Sequence, residues 1–470
     1  MLNRVLFTLF IILNAFTLRG QDGTAKVELD RDENLAVHLF TNESGLWLAT
    51  KRKTAVLNGD RKLTKYTPDL KKVEFTVDLK GIDDDVIYDP NNLNYVYFRS
   101  FTVSSLMGSA KKQYTQVSAV GKVKTYEYPK DETLDDEMLY FCRQNQLFEL
   151  WTKKKADNEL VIVRYDNQTL KRSKSTVRLP TVDKSAKLMK QWLFSGVTDS
   201  LLLITKHSDK KNEDQDFYAV LININTGSIV KNFWYRPVFK KMERVAPSYM
   251  SFGSAGMMVL YTIDNNFFNR EDNRDRPQDY GSLKLSKDGK SILHYAFGAF
   301  GSKTYGFSNV PKIGGIQAAR LDLDGKVIWQ QETKLTENEL GDIPKFVTIP
   351  DGRLGLQEFD DQSIGLTYTT ASRGRNPTTI GIHYGSDGKR LDFCTKSSKL
   401  KGGILKAGKN VVKTIEDLYP CFSTNMARVT KYIGDSKFDA QYTILANKDA
   451  HLLVVYPNDE HVAGLVYFKD

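Results

Sequence analysis

The side chains that most often perform chemistry in proteins are sparse in this 470-residue sequence and follow no familiar spacing. The histidines are His38, His207, His294, His383, His451 and His461. No two of them have the HxH or HExxH spacing that brings two imidazoles to one zinc ion. The sequence also lacks a GxSxG nucleophile motif and a GxxxxGK[ST] phosphate loop. Motifs therefore predict no catalytic residue, no cofactor and no metal ion.

Acidic residues are the remaining candidates for ion binding or acid–base work. Two groups stand out, Asp83, Asp84, Asp85 and Asp89 in one, and Asp322 with Asp324 in the other. Neither fits the twelve-residue calcium loop, so we interpret both as solvated turns. Residues Ser286–Gly289 resemble the Asp-box turn of sialidases, but the glycine lies one position early and the aromatic residue is missing. Carboxylate pairs for glycoside cleavage are defined by their separation in space and stay open.

The first twenty residues have the anatomy of a secretory signal peptide. Arg4 precedes an apolar run, Val5–Phe16, and Gly20 is followed by Gln21. The run has about 12 residues, fewer than the roughly 20 that a helix needs to cross a bilayer. We predict a signal peptide at residues 1–20, export to the periplasm or the extracellular space, and a soluble mature chain without a transmembrane segment. A buried first helix is the alternative.

The cysteines are three, Cys142, Cys394 and Cys421, and an odd number excludes a complete disulfide framework. A bridge between Cys394 and Cys421 would close a plausible loop in an oxidising compartment. Three separate buried thiols are the equally weighted alternative. No CxxC spacing occurs, so a zinc or redox site is not predicted.

The composition is that of an ordinary globular protein, with 41% hydrophobic, 26% charged and 11% aromatic residues. It excludes collagen-like, disordered and polytopic membrane classes. The net charge of +10 is basic without being extreme.

Short runs rich in Val, Ile, Leu, Tyr and Phe recur between polar turns, and the helical period seldom persists, so the chain is predicted to be all-β. Tight turns recur at intervals that average about 55 residues, slightly above the spacing of propeller blades. They lie at Thr67–Leu70, Val120–Lys122, Asp166–Thr169, Asn225–Gly227, Lys287–Gly289, Leu323–Gly325, Ser386–Gly388 and Pro457–Asp459. This pattern predicts a β-propeller of seven or eight four-stranded blades as a single domain at residues 21–470.

One blade is readable strand by strand, at Trp192–Gly196, Ser200–Lys206, Phe217–Asn223 and Ser228–Trp234. A propeller must also close its ring. The carboxyl terminus supplies only three good strands, Tyr442–Leu445, Leu452–Tyr456 and Val462–Phe468. We predict that Ala25–Leu29 supplies the fourth. Two β-sandwich domains, which need no such closure, are the alternative.

Residues Ala318–Trp329, AARLDLDGKVIW, resemble the repeat of quinoprotein-type propellers, in which Ala and Asp precede a Gly-Lys turn and the next strand ends in Trp. Val220–Phe233 is a weaker copy. The resemblance implies the propeller fold. It does not imply quinone binding, because no residue for it is identified.

In a four-stranded blade, the connections from the second to the third strand all open on one face. We predict these B-to-C connections at Lys51–Arg61, Ser104–Gln113, Lys153–Asn158, Lys206–Asp216, Asp264–Tyr280 and Thr370–Pro377. Long loops at one end of a rigid scaffold are common binding sites. Their basic residues are the predicted partner-binding set: Lys51, Arg52, Lys53, Lys111, Lys112, Lys153, Lys154, Lys155, Lys210, Lys211, Arg270, Arg274, Arg276, Arg373 and Arg375. Ordinary solvated loops are the alternative.

Signal peptide, propeller pattern and basic loops together predict a non-enzymatic envelope protein that binds a protein partner. Quinoprotein-like propellers of the bacterial periplasm include the scaffold subunit of the machine that assembles outer-membrane β-barrels. A second comparison is with the soluble plug or accessory subunit of an outer-membrane translocon, such as that of type IX secretion. The alternatives are a binding module for acidic glycan or lipopolysaccharide, and a polysaccharide hydrolase or lyase with its site in the propeller funnel. Nucleic acid is not predicted as a partner, since no recognised binding motif occurs.

Overall fold

The computed structural model describes most of the chain from residue 22 onward. The described ranges are 22–28, 33–41, 43–52, 59–82, 86–89, 91–102, 111–128, 131, 133–153, 156–182, 192–207, 216–237, 243–244, 250–251, 258–259, 282–305, 308–340, 352–370, 378–397, 428, 432, 441–446, 450–456 and 462–469. The predicted signal peptide lies outside them. Among the described residues, no helix has the length and apolarity needed to cross a membrane.

Strands make up almost all of the regular structure. They are β1 (Gly23–Glu28), β2 (Glu33–Thr41), β3 (Gly45–Arg52), β4 (Gly59–Tyr66), β5 (Val73–Ile82), β6 (Val86–Asp89), β7 (Asn92–Thr102), β8 (Lys111–Ser118), β9 (Val123–Tyr128), β10 (Leu134–Arg143), β11 (Gln146–Lys153), β12 (Ala156–Tyr165), β13 (Arg172–Arg178), β14 (Leu193–Val197), β15 (Leu201–His207), β16 (Phe217–Asn223), β17 (Ser228–Tyr235), β18 (Glu243–Arg244), β19 (Met250–Ser251), β20 (Met258–Val259), β21 (Ser282–Leu285), β22 (Ile292–Tyr305), β23 (Ser308–Leu321), β24 (Val327–Lys334), β25 (Gly352–Glu358), β26 (Ile364–Thr370), β27 (Thr378–Tyr384), β28 (Arg390–Ser397), β29 (Gln441–Ala446), β30 (Ala450–Tyr456) and β31 (Val462–Lys469). The one short helix is α1 (Glu337–Leu340) among the described ranges.

The strands form seven antiparallel blades of a β-propeller. Blades 1 to 4 are β2–β5, β6–β9, β10–β13 and β14–β17; blade 5 is β21–β24, blade 6 is β25–β28, and blade 7 is β29–β31 with β1. We call the strands of each blade A to D in this order. Strand β18 pairs with Gly298 and Ala299 of β22, and β19 and β20 form a separate pair.

The N-terminal strand closes the ring, as the sequence predicts. Strand β1 pairs with β31 in antiparallel register, from Gly23 opposite Tyr467 to Glu28 opposite Val462. Outside the regular pairing, Asp22 Oδ2 accepts hydrogen bonds from the Lys469 N–H at 2.7 Å and from Arg428 Nη2 at 2.9 Å. The blade that we predicted strand by strand is also confirmed, as β14–β17. Closure and blade order exclude the two-sandwich alternative.

Seven blades, rather than eight, follow from the identity of two turns. The turn at Lys287–Gly289 joins β21 to β22, so it is the A-to-B turn of the same blade whose C-to-D turn contains Gly325. Pro457–Asp459 joins β30 to β31 and lies outside the described residues. Two of the eight predicted turns are therefore not C-to-D turns. The A-to-B turn of blade 5 uses the same Asx chemistry as the C-to-D turns, so the two kinds look alike in sequence.

The core lies between neighbouring blades rather than in one central cluster. One buried cluster joins Phe148 and Ile162 of blade 3 to Leu202 and Val220 of blade 4. Inner strands such as β16 are buried on both sides, whereas the outer strand β17 alternates with exposed residues. Fully buried strands read as continuous apolar runs, which explains the sequence pattern.

A repeated contact links the outer strand of one blade to the C-to-D turn of the next. Trp329 on β24 packs against Gly388 in blade 6, and Phe75 on β5 packs against Gly121 in blade 2. Tyr128 on β9 donates a 2.7 Å hydrogen bond to the carbonyl of Leu170 in blade 3. An aromatic side chain thus occupies this docking position in several blades, and among these three contacts Trp329 is the tryptophan.

The cysteines have different states. Cys142 is free and fully buried in β10, whereas Cys394 on β28 is disulfide-bonded. The disulfide excludes the alternative of three free thiols. Cys421, the remaining cysteine of the sequence, lies outside the described residues.

Candidate functional site

The alternation of strand direction gives the propeller two chemically distinct faces. We call the face of the B-to-C and D-to-A connections the loop face, and the face of the A-to-B and C-to-D turns the turn face. A connection belongs to the face at which the preceding strand ends and the following strand begins. The first and last described residues, Asp22 and Lys469, lie on the turn face, because β1 begins where β31 ends.

The structure describes five of the fifteen predicted basic residues, and all five lie at strand ends on the loop face. Lys51 and Arg52 end β3, Lys111 and Lys112 begin β8, and Lys153 ends β11. The rest lie outside the described residues, in connections whose flanking strands end on this face: Lys53, Lys154, Lys155, Lys210, Lys211, Arg270, Arg274, Arg276, Arg373 and Arg375.

One of the six predicted B-to-C connections is wrong. Residues 264–280, with Arg270, Arg274 and Arg276, precede β21, the first strand of blade 5. They therefore belong to a D-to-A connection. The B-to-C connection of blade 5 is the tip of the β22–β23 hairpin, which the sequence pattern does not indicate. The strands that flank this connection, β17 and β21, end and begin at the loop face, and the arginines themselves lie outside the described residues.

Lys112 is a buried ion-pair partner, not a freely exposed loop lysine. Its Nζ lies 2.9 Å from Glu149 Oε1, and the two side chains are only 12% and 3% exposed. Trp151 Nε1 donates to Glu149 Oε2 at 2.9 Å, and the hydroxyl of Tyr114 donates to Oε1. The ammonium also lies 4.4 Å from the centroid of the Trp151 ring. Lys112 and these hydrogen bonds hold the pKa of Glu149 below its usual value in spite of burial. This cluster ties blade 2 to blade 3.

The side chain of Lys153 is more exposed than that of Lys112. Its Nζ forms a 2.6 Å ion pair with Glu159, and the lysine side chain is 44% exposed. At the same face of blade 4, Lys206 Nζ lies 4.9 Å from the ring centroid of Trp192. The lysines that border the loop face in blades 2 to 4 thus have aromatic or carboxylate neighbours that position them.

The acidic group at Asp83–Asp89 is divided between the faces. Asp83, Asp84 and Asp85 fall outside the described residues, in the D-to-A connection between β5 and β6. Asp89 ends β6 at the turn face, is 2% exposed, and accepts hydrogen bonds from the N–H groups of Asn91 and Asn145. Burial raises its pKa. Among the described residues, no group of three His, Cys, Asp or Glu side chains is arranged to hold a metal ion.

A second buried ion pair lies between the innermost strands of blades 5 and 6. Lys284 Nζ is 3.6 Å from Glu358 Oε1, and Glu358 Oε2 accepts a 2.8 Å hydrogen bond from the Lys287 N–H. Burial lowers the pKa of Lys284 to about 8 although the carboxylate acts in the opposite direction. A lysine of this kind is a candidate base or nucleophile. With side chains 13% and 9% exposed, however, the pair is closed to a substrate in this conformation.

Asp361, Ser363 and His383 form a chain of hydrogen bonds but not a catalytic triad. His383 Nε2 lies 2.8 Å from Ser363 Oγ, which in turn donates to Asp361 Oδ1 at 2.6 Å. In a triad the histidine stands between serine and carboxylate and removes the serine proton. Here the serine is central and its proton is directed to the aspartate. The arrangement therefore fastens the A-to-B turn of blade 6.

Sequence reasoning missed the two buried ion pairs because their members are distant along the chain. Lys112 and Glu149 are 37 positions apart and lie in different blades. The usable signal was a charged residue at an inward position of an apolar strand, as Glu149 is between Phe148 and Leu150.

Comparison with known proteins shows similarity of fold without a family assignment. No family model and no curated protein matches the chain. The β-propeller domain of the Trilobed protease from Pyrococcus furiosus is 7% identical, with a TM-score of 0.38 over 94% of each chain. A PL25 ulvan lyase is 10% identical, with a TM-score of 0.38 over 94% of this chain and 95% of the lyase. A duf4221 family member from Bacteroides vulgatus is 8% identical, with a TM-score of 0.30 over 96% and 97%. At these values the similarities carry no conclusion about activity.

Proposed function

We propose that this chain is an exported, non-enzymatic β-propeller whose loop face binds a protein partner of the cell envelope, as a scaffold or plug-like accessory subunit of an outer-membrane complex does. The observation that carries the proposal is the common face of the basic connections. Five of the six predicted B-to-C connections join the expected strands, and the sixth lies between β17 and β21, whose ends flank the loop face.

The sequence of several loop-face connections is basic, whereas some turn-face lysines have an aspartate in the same turn. On the turn face, Lys71 lies 3.5 Å from Asp69, and Lys389 lies 3.1 Å from Asp387 within its own turn. The B-to-C connections of blades 1, 2 and 6, at 51–59, 103–112 and 371–377, contain basic residues and no Asp or Glu. Lys112 is paired with Glu149 of blade 3. The other basic residues of these connections have no acidic neighbour within the same connection, and positive charge of this kind steers association with an acidic surface.

A protein partner fits this face better than a polyanion does. The D-to-A connection between blades 1 and 2 carries Asp83, Asp84 and Asp85 between two basic B-to-C connections, so the loop-face connections carry both signs of charge. A uniformly acidic glycan or lipopolysaccharide would meet repulsion there, whereas a protein surface with interleaved charges can match both. Like charges brought together across an interface reduce affinity and suppress wrong partners.

The disulfide at Cys394 supports the export part of the proposal. Disulfides persist in oxidising compartments and are rare in the cytosol. The predicted signal peptide directs the chain to such a compartment.

Capture from native envelopes tests the proposal. The protein, tagged at its carboxyl terminus on the turn face, is purified in mild detergent with a moderate-salt wash, and bound proteins are identified by mass spectrometry. We expect stoichiometric recovery of an envelope protein, and loss of it in the variant K51E/R52E/K53E. The matched control is K71E/K326E/K389E, which changes the same charge on the turn face and should retain the partner.

Two results would contradict the proposal: recovery of the protein alone, or equal loss of the partner in the turn-face control. The variant D83N/D84N/D85N separates the glycan alternative. It should weaken a complex with a mixed-charge protein, whereas retention on immobilised heparin, a sulfated polyanion, should increase.

A further inference from the structure

A row of aromatic side chains crosses blade 4 near its loop-face end. Tyr218 on β16 is paired with Lys206 on β15 and with Trp234 on β17, so these three side chains share one side of the blade. The ring centroid of Tyr218 lies 5.1 Å from that of Trp234 and 6.2 Å from that of Trp192, just before β14. Trp192 and Tyr218 are buried in the cluster between blades 3 and 4, whereas Trp234 is 46% exposed. The row therefore ends in a solvent-exposed indole that rests on a buried tyrosine.

Blade docking does not account for this exposed indole. Phe233, the preceding residue, lies on the opposite side of β17 and packs on Gly325 in the turn of blade 5. Phe233 thus occupies in blade 4 the docking position that Trp329 occupies in blade 5. The fold uses Phe233 to join the blades and leaves Trp234 on the other side of the strand.

Polar side chains border the exposed indole on the same side of the blade. Asn232 and Arg236 lie two positions before and after Trp234, and both are exposed. Arg236 donates from Nε and Nη2 to the two carboxylate oxygens of Asp216, at 2.7 and 2.6 Å. Asp216 precedes Tyr218 by two positions, so this planar ion pair is the next pair along the two strands. One apolar ring is thus bounded by groups that donate and accept hydrogen bonds.

We propose that Trp234 is the stacking platform of a saccharide site, which takes a neutral oligosaccharide of pyranose units with equatorial hydroxyls. Such a sugar ring has C–H groups on its two faces and hydroxyls around its edge. Its face matches the indole, and its edge matches Asn232 and the pair of Asp216 with Arg236. Ligand sites commonly combine aromatic surface with a few placed polar groups. The packing of Trp234 on Tyr218 holds the platform in place, which lowers the ordering cost of binding.

The size and charge of the surface favour a neutral sugar over a protein or an acidic glycan. A standard protein interface buries about 800 Å² on each partner around an apolar core. The exposed apolar surface at this site is one indole with polar neighbours on both sides, an area that a single pyranose covers. The Asp216 carboxylate offsets the charge of Arg236, and a uronate would be repelled by it. Lys206 lies at the inner end of the row, with its Nζ 4.9 Å from the ring centroid of Trp192.

Isothermal titration calorimetry tests the proposal with the purified protein and cellohexaose, a neutral chain of equatorially substituted pyranose units. We expect saturable binding that changes little between low and moderate salt, because the ligand carries no charge. Trp234→Leu keeps apolar area but removes the flat ring, and it should lower the affinity at least about tenfold. Trp234→Phe keeps a ring and should stay within about threefold. Arg236→Gln breaks the pair with Asp216 and should lower the affinity about tenfold.

Val230→Ser is the matched control. Val230 is 52% exposed on the same strand, but it lies at the bulge of β17, four positions before the indole. Its substitution should leave the affinity for cellohexaose within about twofold. Thermal melting of each variant verifies that the fold is retained.

Three results would overturn the proposal. The first is no binding of cellohexaose up to about 5 mM, and the second is unchanged affinity in Trp234→Leu. The third is tighter binding of oligogalacturonate, an acidic chain, that moderate salt abolishes, since exposed charge rather than the indole would then recognise the ligand. The capture of an envelope protein does not depend on Trp234, so failure of either proposal leaves the other standing.

Discussion

Substitution of Gly388 by alanine adds one methyl group at the contact between Gly388 and Trp329. The resulting loss of stability measures how tightly blades 5 and 6 are docked. Gly388 has φ +81°, and an added Cβ would lie 2.6 Å from Cδ2 and 2.8 Å from Cγ of Trp329. The left-handed backbone costs an L-residue about 1 kcal/mol or somewhat more. Displacing a tryptophan that is 7% exposed forfeits part of the roughly 3–5 kcal/mol that its full truncation costs. We therefore expect Gly388→Ala to destabilise the protein by about 2–4 kcal/mol.

Urea denaturation, followed by tryptophan fluorescence and by circular dichroism, measures this loss. Gly385→Ala in the same turn is the control, because its added Cβ would meet only side-chain atoms of Asp387 and Leu391 at 3.0 Å and beyond. The double variant with Trp329→Ala completes a mutant cycle. Gly388→Ala should cost less by about 1 kcal/mol or more when the indole is absent, since the clash is removed. Strict additivity of the two substitutions would refute the docking argument.

Three further predictions concern buried groups. Glu149→Gln should destabilise by about 3–5 kcal/mol, because Lys112 stays buried without its counter-charge; urea denaturation checks this, and a loss below about 1 kcal/mol would show that the pair is solvated. Lys284 has its pKa lowered from 10.5 to about 8, so the unfolded chain binds more protons between these values and the Lys284 contribution to stability rises with pH across that window. The difference in unfolding free energy between wild type and Lys284→Met should therefore change between pH 8 and 10.5, and a constant difference would contradict the lowered pKa. Thiol titration of the oxidised, unfolded chain should find one reactive thiol, that of Cys142, and three after reduction; three before reduction would contradict the disulfide at Cys394.

The closure of the ring could be predicted because it depends on local pattern and on a counting argument. Three strong strands at one chain end and one at the other leave a single way to complete a four-stranded blade. The register could not be predicted, since it is set by partners such as Asp22 and Lys469 that are 447 positions apart. Pairings at that range carry no local sequence signal.

The position of each predicted turn within its blade could not be told from the sequence, for a different physical reason. An Asx turn stabilises any tight reversal between antiparallel strands, so Ser286–Gly289 and Asp322–Gly325 look alike in sequence. In the structure both turns have a side chain that caps a backbone N–H two residues on, with Asp288 Oδ1 accepting from Lys290 and Asp322 Oδ1 from Asp324. Only strand pairing shows that the first joins strands A and B and the second joins C and D.

Only part of the candidate site could be predicted from the sequence, for a related reason. Lys112 and Lys153 look equivalent in sequence, as lysines at the ends of neighbouring strands. Their roles differ because Glu149 and Trp151 project from blade 3 toward Lys112, whereas Lys153 meets Glu159 of its own blade at the solvent boundary. Which lysine of a basic run becomes structural is decided by the adjacent blade.

The proposed loop-face contact makes a prediction about salt. Its B-to-C connections carry basic residues, and the D-to-A connection between blades 1 and 2 carries Asp83, Asp84 and Asp85. Salt screens the attraction between exposed charges. A protein interface also buries apolar area, which salt does not weaken. The complex with a protein partner should therefore persist through a moderate-salt wash, whereas a contact made by exposed charge alone should be lost.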